Sequence, residues 1–235
     1  MSNRIGLNGA IIAAGAGSRL RSAGWTVPKA LVRVAGATLI EHVIGNFQAA
    51  GIRSLAIIFN QQSRECVPWT RARFPDLDLR FVVKTTASSL ESFLAVQQGL
   101  APGPVLISTV DAWCLDGAFG DFVNTASTLS DDAVVLAVTP FVDDEHPLWV
   151  RTAADGRITE LGGDAGEQVT AGIYLLPERI RRLQPPAELS RLREFLGWLV
   201  ARGERVYGVS LAKVVDVDRP RDIGLVEASV APRDC

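Results

Sequence analysis

Residues 9–20, GAIIAAGAGSRL, join a short apolar run to a glycine-rich segment. The apolar part, residues 9–14, predicts a strand covered on both faces, because a short uninterrupted apolar run that ends at glycines is typical of a buried strand. Gly15 and Gly17 then let backbone N–H groups approach an anion closely, as in strand-to-helix loops that bind phosphate. This stretch predicts an α/β fold whose first strand leads into a phosphate-binding loop.

Strands and helices alternate through the first half of the chain. Thr38 and Glu41 have capping-box spacing and open a helix that Gly51 ends. Ser88 and Glu91 open a later helix in the same way. Further apolar runs predict strands at 54–59, 79–83 and 105–110. This order predicts right-handed crossovers and a mainly parallel sheet with helices on both faces.

Antiparallel pairing is expected in the second half. Residues 148–151 and 157–161 predict a hairpin around the turn at Asp155 and Gly156. Further strands are predicted at 133–138, 169–175, 205–209 and 213–217, and helices at 188–201 and after Pro220. Because the chain contains no linker or internal repeat, residues 1–235 are expected to form one domain.

The composition excludes several classes of protein. The 24 basic residues are scattered among 26 acidic ones and leave a net charge of -2, a balance that offers nothing to a nucleic acid. No apolar run approaches the roughly 20 residues of a membrane helix, and the chain shows no secretory leader. The three cysteines form no CxxC pair. We therefore expect a cytoplasmic protein with free thiols and with no nucleic-acid or membrane partner.

Two cations flank the glycine segment. Arg19 follows it directly, and Lys29 stands in the short element PKAL. If the loop folds back, both would reach the same phosphates, and two cations over a phosphoryl group stabilise the charge that builds up during transfer. The P-loop pattern is absent, and the dinucleotide pattern lacks its third glycine, which is Leu20 here. A glycine loop with ordinary surface cations is the alternative that needs no ligand.

The segments AAGAGSRL and PKALVRVAGATLIEHVI resemble the nucleotidyltransferases of the sugar-phosphate pyrophosphorylase type. The resemblance implies a single-domain α/β/α sandwich with a mixed, mainly parallel sheet, similar to nucleotide-diphospho-sugar transferases. It implies transfer of a nucleoside monophosphate from an NTP to a sugar 1-phosphate, with release of pyrophosphate. It makes Arg19 and Lys29 the catalytic cations. The nucleotide-binding loop that it implies consists of Ala13, Ala14, Gly15, Ala16, Gly17 and Ser18.

Such a reaction needs a divalent cation, expected to be Mg²⁺, because the triphosphate must be neutralised before its α-phosphorus is attacked in line. Asp111 follows the predicted strand 105–110 and resembles the family's first metal aspartate. Asp216 and Asp218 alternate along a predicted strand, so two like charges face one side and need a cation. Their segment, VVDVDRPRDI, is similar to the family's DVDTPEDL element, which completes the metal site. Which of the two binds directly stays open, and helix caps are the structural alternative for Asp111 and Asp218.

Two further segments resemble ligand-contacting parts of this family. TTASSL resembles the loop that contacts the base and ribose, which makes Thr86, Ser88 and Ser89 candidate nucleotide ligands. Ser88 fits a helix cap equally well. VTAGIYLL resembles the segment that lines the acceptor pocket, which makes Thr170 and Gly172 candidate acceptor ligands. Strand geometry is the alternative explanation of the glycine.

The acceptor stays open beyond its being a small phosphorylated molecule, because residues 162–164 depart from the Glu-Lys pair that many sugar pyrophosphorylases carry near the sugar. One alternative is a phosphocholine-like or other non-sugar phosphate, for which Trp25, Trp113 and Trp149 would form an aromatic cage around a cationic head. Another is a nucleotide-binding protein without turnover. Histidine-based chemistry and a zinc site are not expected, because the chain has only two histidines and no partner motif for either.

Overall fold

The computed structural model describes residues 6–143 and 145–230. The strands are β1 (Asn8–Ala13), β2 (Arg33–Val34), β3 (Ala37–Thr38), β4 (Ser54–Phe59), β5 (Asp78–Val83), β6 (Val105–Thr109), β7 (Ala112–Cys114), β8 (Val134–Thr139), β9 (Trp149–Thr152), β10 (Ile158–Leu161), β11 (Gln168–Leu176), β12 (Val206–Ser210) and β13 (Val214–Asp216). The helices are α1 (Ser18–Ser22), α2 (Leu39–Ala49), α3 (Cys66–Arg73), α4 (Ser89–Val96), α5 (Ala118–Ala126), α6 (Glu178–Arg181), α7 (Leu192–Ala201) and α8 (Pro220–Val230). Short 3-10 turns lie at Lys29–Leu31 and Gln61–Ser63.

The first half of the chain builds a parallel sheet in the order β5-β4-β1-β6. The chain moves outward from β1 to β4 and β5, and then returns to the other side of β1 with β6. In open α/β sheets, ligands bind at the carboxyl ends of the strands where the order reverses in this way. The glycine segment follows β1 and Asp111 follows β6, so both lie at that position.

Antiparallel pairing enters in the second half, as expected. Strand β11 runs antiparallel to both β6 and β8, and β9 and β10 form an antiparallel hairpin. Strand β12 pairs with β8 in parallel. Within the described sheet, β10 and β11 run against the direction of the other strands. The expected mixed, mainly parallel sheet is therefore confirmed.

Helices cover both faces of this sheet. Because successive side chains of a strand point to opposite faces, Ile11 and Ala13 of β1 belong to one core and Ala10 to the other. Buried residues of α2, α5 and α8 fill the first core, and those of α4 and α7 fill the second. The α/β/α sandwich is therefore confirmed.

The capping box expected at Thr38 begins α2, whereas only the serine half of the second expected box begins α4, because the Glu91 carboxylate accepts the backbone N–H of Ala87 instead of that of Ser88. The hydroxyl oxygen of Thr38 accepts the backbone N–H of Glu41 at 3.3 Å, and the Glu41 carboxylate accepts the backbone N–H of Thr38 at 2.8 Å. The hydroxyl oxygen of Ser88 accepts the backbone N–H of Glu91 at 3.1 Å. These bonds satisfy N–H groups that a helix start leaves without intrahelical partners.

The helix predicted at 188–201 is shorter than expected, because it begins as α7 at Leu192. The Glu194 carboxylate accepts the backbone N–H groups of Ser190 and Arg191, at 2.8 and 2.9 Å, and this fixes the helix start. The residues before Ser190 form turns instead.

Helices α3 and α5, like the short helices α1 and α6, are additional to the elements predicted from the sequence. Helix α3 buries only Cys66 and Thr70, so its sequence carries little of the apolar periodicity that predicts a helix. Helix α5 buries Phe119, Phe122 and Val123 at helical spacing, a signal that the sequence does contain.

Within the described residues, no helix combines the length and apolar character that crossing a membrane requires. Cys66 and Cys114 are buried free thiols, whereas Cys235 lies outside the described residues.

Candidate active site

The glycine segment forms a turn between β1 and α1. Gly17 has φ +60°, and a Cβ there would lie 3.0 Å from the Cβ of Lys29, so a glycine is required on both counts. The buried side chain of Asn60 is hydrogen-bonded to the backbone of this turn. Its Nδ2 donates to the carbonyl oxygens of Ala14 and Gly15, at 3.2 Å each. Asn60 is a positioning residue that the sequence patterns do not identify, since it stands alone after β4.

Lys29 lies in the 3-10 turn that follows Pro28 and is buried against carboxylates. Its Nζ atom lies 2.5 Å from Oδ2 of Asp111 and also donates to Oδ1 of Asp218. Burial alone would lower the pKa of Lys29, but the charges of Asp111, Asp216 and Asp218 outweigh it and raise the pKa above its usual range. Burial tends to raise the pKa of Asp111, and the Lys29 ammonium reverses this and lowers it. Lys29 and Asp111 therefore form an ion pair, with a positive ammonium group and a negative carboxylate.

The three predicted metal aspartates are brought together by the pairing of two strands that are far apart in the sequence. Strands β7 and β13 pair with Ala112 opposite Asp216, and the backbone N–H of Val217 donates to the Asp111 carbonyl at 3.1 Å. One carboxylate oxygen each of Asp111, Asp216 and Asp218 then lies within 4.8 Å of the others. Oxygen ligands are those that Mg²⁺ prefers, so this donor set fits a divalent cation.

Neither helix-cap alternative describes these aspartates. Asp111 lies in the turn between β6 and β7. The start of α8 is capped by Asp222, whose Oδ2 accepts the backbone N–H groups of Asp218 and Arg219 at 2.8 and 2.6 Å. Asp218 follows the end of β13, where a strand residue was expected, and its carboxylate accepts from Lys29 and Arg19 instead.

Arg19 reaches the same cluster from the glycine side. Its Nη1 lies 2.5 Å from Oδ2 of Asp218, and its side chain is about half exposed. Both predicted catalytic cations therefore contact one carboxylate, across a sequence separation of about 200 residues. The two side chains approach it from different elements, since Arg19 belongs to α1 and Lys29 to the 3-10 turn.

A cavity of about 340 Å³ opens over the aspartates. Thr170, Gly172 and Ser89 line it together with Arg19 and the three aspartates, so the predicted acceptor and metal residues share one space. The loop between β8 and β9 forms another wall, which the sequence patterns did not assign to the site. Further lining residues from this loop and from α7 are Phe141, Asp143, Glu145, Pro147 and Arg193.

Gly172 sits where the register of β11 against β8 shifts. Its φ is +73°, and a Cβ there would lie 2.6 Å from Oγ1 of Thr109. The strand geometry therefore requires this glycine in its own right.

Burial raises the pKa of Tyr174 to about 12, and the Thr170 side chain is hydrogen-bonded to the Tyr174 side chain. Thr170 thus combines a place in the cavity wall with a bond to a buried phenol.

The three hydroxyl residues predicted to bind nucleotide differ in their surroundings. Ser88 caps α4, and the Thr86 hydroxyl lies 2.6 Å from that of Ser92. The Ser89 hydroxyl accepts the backbone N–H of Leu192 at 3.0 Å and so joins α4 to α7. Of the three, Ser89 is the one that lines the described cavity. Their contact with a nucleotide stays a prediction.

The three tryptophans do not surround this cavity. Trp113 is buried and stacks on His42, with ring centroids 4.8 Å apart. Trp25 packs against the core at its edge, and Trp149 pairs with Val169 in the sheet. Among the residues described, those that line the cavity include none of the three. The aromatic cage considered for a cationic acceptor is therefore not formed at this site.

A family model described as the MobA-like NTP transferase domain matches residues 9–174. The chain belongs to this family. The match begins in β1 and ends in β11, so it contains the glycine segment, Lys29 and Asp111, whereas Asp216 and Asp218 lie after it. The resemblance to nucleotidyltransferases of the pyrophosphorylase type is thereby confirmed.

Similar curated proteins agree with this membership. A "Bifunctional IPC transferase and DIPP synthase" from Rubrobacter xylanophilus is 29% identical over 97% of this chain, which spans about half (53%) of that relative's length. An N-acetylmuramate alpha-1-phosphate uridylyltransferase from Caulobacter vibrioides is 28% identical, over 85% of this chain and 86% of its own. A mannose-1-phosphate guanyltransferase from Yarrowia lipolytica is 22% identical, over 92% of this chain and 62% of its own.

Solved structures share the fold. The inositol-1-phosphate CTP transferase from T. maritima superposes with a TM-score of 0.79 at 19% identity, covering 97% of this chain and 98% of its own. An apo UDP-glucose pyrophosphorylase superposes with a TM-score of 0.79 at 13% identity, covering 96% and 98%. At such low identity these matches establish the fold of the family, the nucleotide-diphospho-sugar transferase fold.

Proposed function

We propose that this chain transfers a nucleoside monophosphate from an NTP to the phosphate of a sugar 1-phosphate and releases pyrophosphate. The observation that carries the proposal is the meeting of Lys29 and Arg19 with three aspartates beside the glycine turn. Cations and metal-binding carboxylates at one place match the needs of phosphoryl chemistry, in which catalysis is mainly positioning and charge stabilisation.

The carboxylates of Asp111, Asp216 and Asp218 would hold Mg²⁺. When bound, this ion neutralises the triphosphate and makes its α-phosphorus accessible to attack. Which of Asp216 and Asp218 binds directly stays open. Lys29 and Arg19 stand beside the carboxylates with their positive charges fixed in place, so they can stabilise the charge of the transferring group without rearranging from solvent.

The transfer step needs no protein base. An oxygen of the acceptor phosphate forms a bond to the α-phosphorus, and the bond from that phosphorus to the bridging oxygen breaks, so that its electron pair leaves with pyrophosphate. A phosphate monoester is already largely dianionic near neutral pH, because its second pKa is about 6. The site therefore works without a histidine, in keeping with His42 being buried in a stack with Trp113.

The cavity supports a polyhydroxylated acceptor. Its volume of about 340 Å³ falls within the range of small-molecule pockets. Hydroxyl and carboxylate groups of Thr139, Thr170, Asp143 and Glu145 line it, and such groups can exchange hydrogen bonds with ring hydroxyls. Arg193 adds a cation on the α7 side, where it also donates to the His146 carbonyl at 3.1 Å.

An inositol 1-phosphate acceptor is the second candidate. It is suggested by the inositol-1-phosphate CTP transferase from T. maritima, which shares the fold over 97% of this chain. A cyclitol phosphate offers the same kind of ring hydroxyls and the same attacking phosphate, so the chemistry derived above would not change.

Pyrophosphate release tests the proposal. The protein is incubated with Mg²⁺, each of ATP, CTP, GTP, UTP and dTTP, and a panel containing hexose 1-phosphates, inositol 1-phosphate and phosphocholine. We expect release that requires both a nucleotide and a ring phosphate, and that falls roughly 10²–10³-fold in Arg19→Gln. Arg80→Gln, which changes an exposed cation on β5, is the control and should keep full activity. Absence of release with every pair would contradict the proposal and favour a binding protein without turnover.

A further inference from the structure

A second, more open cavity of about 520 Å³ adjoins the first. Ser18, Arg19, Ser22, Arg219, Pro220 and Arg221 line it. Half of these described lining residues are arginines and none is acidic, whereas the first cavity carries the aspartate cluster. The second cavity is therefore walled by guanidinium groups, and each of them is paired on one edge with a carboxylate, of Asp218, of Glu145, or of Asp143 and Asp222.

The three arginines line both cavities and so stand at their junction. Arg19 connects the two directly, because its Nη1 lies 2.5 Å from Oδ2 of Asp218 in the aspartate cluster. Ser18 extends the glycine turn into the second cavity. An NTP whose α-phosphoryl group lies at the aspartates therefore has a cationic space next to it for its two outer phosphates.

The other two arginines lie where α8 begins. Arg219 immediately precedes the helix, and Arg221 is in its first turn. Both therefore stand beside Arg19 at the wall of the second cavity.

Both additional arginines are held by acidic residues of the β8–β9 loop. Arg219 pairs with Glu145, and Arg221 lies 3.4 Å from Oδ1 of Asp143 and donates to the Asp143 carbonyl at 3.0 Å. A guanidinium carries five N–H donors, so a carboxylate on one edge leaves donors for a phosphate on another. The ion pairs therefore orient the arginines without using up their capacity to bind an anion.

We propose that Arg219 and Arg221 bind the departing pyrophosphate next to Arg19, so that the wall formed by the three arginines is the pyrophosphate seat; this inference rests on the proposed function. As the bond between the α-phosphorus and the bridging oxygen breaks, the leaving group gains negative charge. Hydrogen bonds from charged donors strengthen with that charge, so the three arginines stabilise the transition state more than the bound NTP. Arg219 and Arg221 thereby act on the leaving group, while Lys29 lies on the side of the aspartates.

Direct binding of pyrophosphate and of inorganic tripolyphosphate tests the seat without turnover. Calorimetry in the presence of Mg²⁺ compares the wild type with Arg219→Gln, Arg221→Gln and the remote control Arg80→Gln. We expect binding at least roughly tenfold weaker for each of the first two variants, because each loses a charged hydrogen-bond donor to the anion. The dependence of the binding constant on salt should also become less steep. Thermal unfolding establishes that each variant is folded, and Arg221, the more exposed of the two, is the safer substitution.

Variants of Glu145 and Asp143 distinguish two roles of the arginines, direct binding of the anion and stabilisation of the β8–β9 loop. Glu145→Gln and Asp143→Asn break the same ion pairs but keep the arginines, so we expect pyrophosphate to bind as tightly as before or more tightly. If these variants weaken binding as much as the arginine variants do, the arginines act through the loop and the inference is wrong. Unchanged pyrophosphate binding in the arginine variants of an enzyme that turns over would overturn the inference and leave the proposed function intact. Arginine-dependent binding with no turnover of any NTP would remove the proposed function and leave an anion seat.

Discussion

The Nζ atom of Lys29 lies 2.5 Å from Oδ2 of Asp111 and also donates to a carboxylate oxygen of Asp218. The Lys29 side chain is only 7% exposed, and Asp216 adds to the negative charge around it. The Lys29 ammonium, together with Arg19 on Asp218, therefore offsets the mutual repulsion of three carboxylates, of which Asp111 and Asp218 are partly buried and Asp216 is exposed. A divalent cation that enters this cluster meets the ammonium as a like charge.

We expect Lys29→Met to bind divalent cations more tightly than the wild type in the absence of nucleotide. Removing the like charge should raise the affinity for Mn²⁺, used as a spectroscopic substitute for Mg²⁺, by roughly tenfold or more, because charges a few ångströms apart interact by several kcal/mol even when partly screened. Electron paramagnetic resonance of free Mn²⁺ measures this directly. The same variant should release almost no pyrophosphate, since it lacks a cation at the transferring group.

The surface variant Arg80→Gln should bind Mn²⁺ as the wild type does. Asp111→Asn provides the opposite control, because it removes a carboxylate while leaving Lys29 in place, and it should weaken Mn²⁺ binding. Equal or weaker Mn²⁺ binding by Lys29→Met would show that the ammonium does not oppose the metal.

Asn60→Ala should loosen the glycine turn. The variant loses the two hydrogen bonds that the Asn60 side chain donates to Ala14 and Gly15 and the one that it accepts from the backbone N–H of Ser63 at 2.9 Å, and we expect unfolding to become easier by about 1–3 kcal/mol. The KM for the nucleotide should rise more than kcat falls, because we propose that the turn positions the phosphates. Chemical denaturation and steady-state kinetics measure the two effects. Gln62→Ala, an exposed change in the neighbouring 3-10 turn, should leave both the stability and the KM unchanged.

Gly172→Ala should destabilise the protein by about 2 kcal/mol or more, since a left-handed backbone and a steric overlap act together there. Its φ of +73° disfavours any side chain, and its Cβ would meet Oγ1 of Thr109 at 2.6 Å. Denaturant titration measures the loss. Gly45→Ala is the matched control, because Gly45 lies in α2 and a Cβ there would have no neighbouring atom within 4 Å, so this variant should be neutral or stabilising.

A second substitution separates the two causes at Gly172. Thr109→Ser keeps the hydroxyl and its overlap, whereas Thr109→Ala removes it. In the double variant with Thr109→Ala, part of the loss caused by Gly172→Ala should be recovered, and the part due to the left-handed backbone and to the Cβ of Ala112, which would lie 3.1 Å away, should remain. Complete recovery would mean that the positive φ costs nothing.

The sequence predicted what local patterns determine. The capping pair Thr38 and Glu41 lies within one helical turn, so three residues of sequence are enough to place the start of α2. The apolar run of β1 and the glycines after it are equally local. Asp111 and Asp216, by contrast, meet only because β7 pairs with β13, and no pattern within either segment contains that pairing.

Residues that support the glycine turn or line the cavity without belonging to a local sequence pattern could not be predicted in this way. Asn60 is a single buried amide after a strand, and nothing in its neighbours marks it as the support of the glycine turn. Glu145 and Arg193 line the cavity over the aspartates from a loop and a helix whose sequences carry no catalytic pattern. The resemblance to a family supplied the aspartates, because it carries the tertiary arrangement that local physics does not.

His42 predicts how stability depends on pH. Its ring stacks on Trp113 and lies 3.2 Å from Nδ2 of Asn46, and burial lowers its pKa from 6.5 to about 4, with Asp116 opposing the shift weakly. Below pH 6.5 the unfolded chain takes up a proton that the folded protein excludes. The contribution of neutral His42 to stability is therefore complete above pH 6.5 and is lost as the pH falls toward 4, by at most about 1.4 kcal/mol per pH unit.

Urea unfolding of the wild type and His42→Gln at pH 7 and pH 4.5 isolates this contribution. Other groups titrate equally in both proteins, so the difference in their unfolding free energies reports on residue 42. We expect the advantage of the wild type to shrink by about 2 kcal/mol between the two pH values. A constant difference between wild type and His42→Gln would mean that the stacked ring accepts its proton in the folded protein as easily as in the unfolded chain.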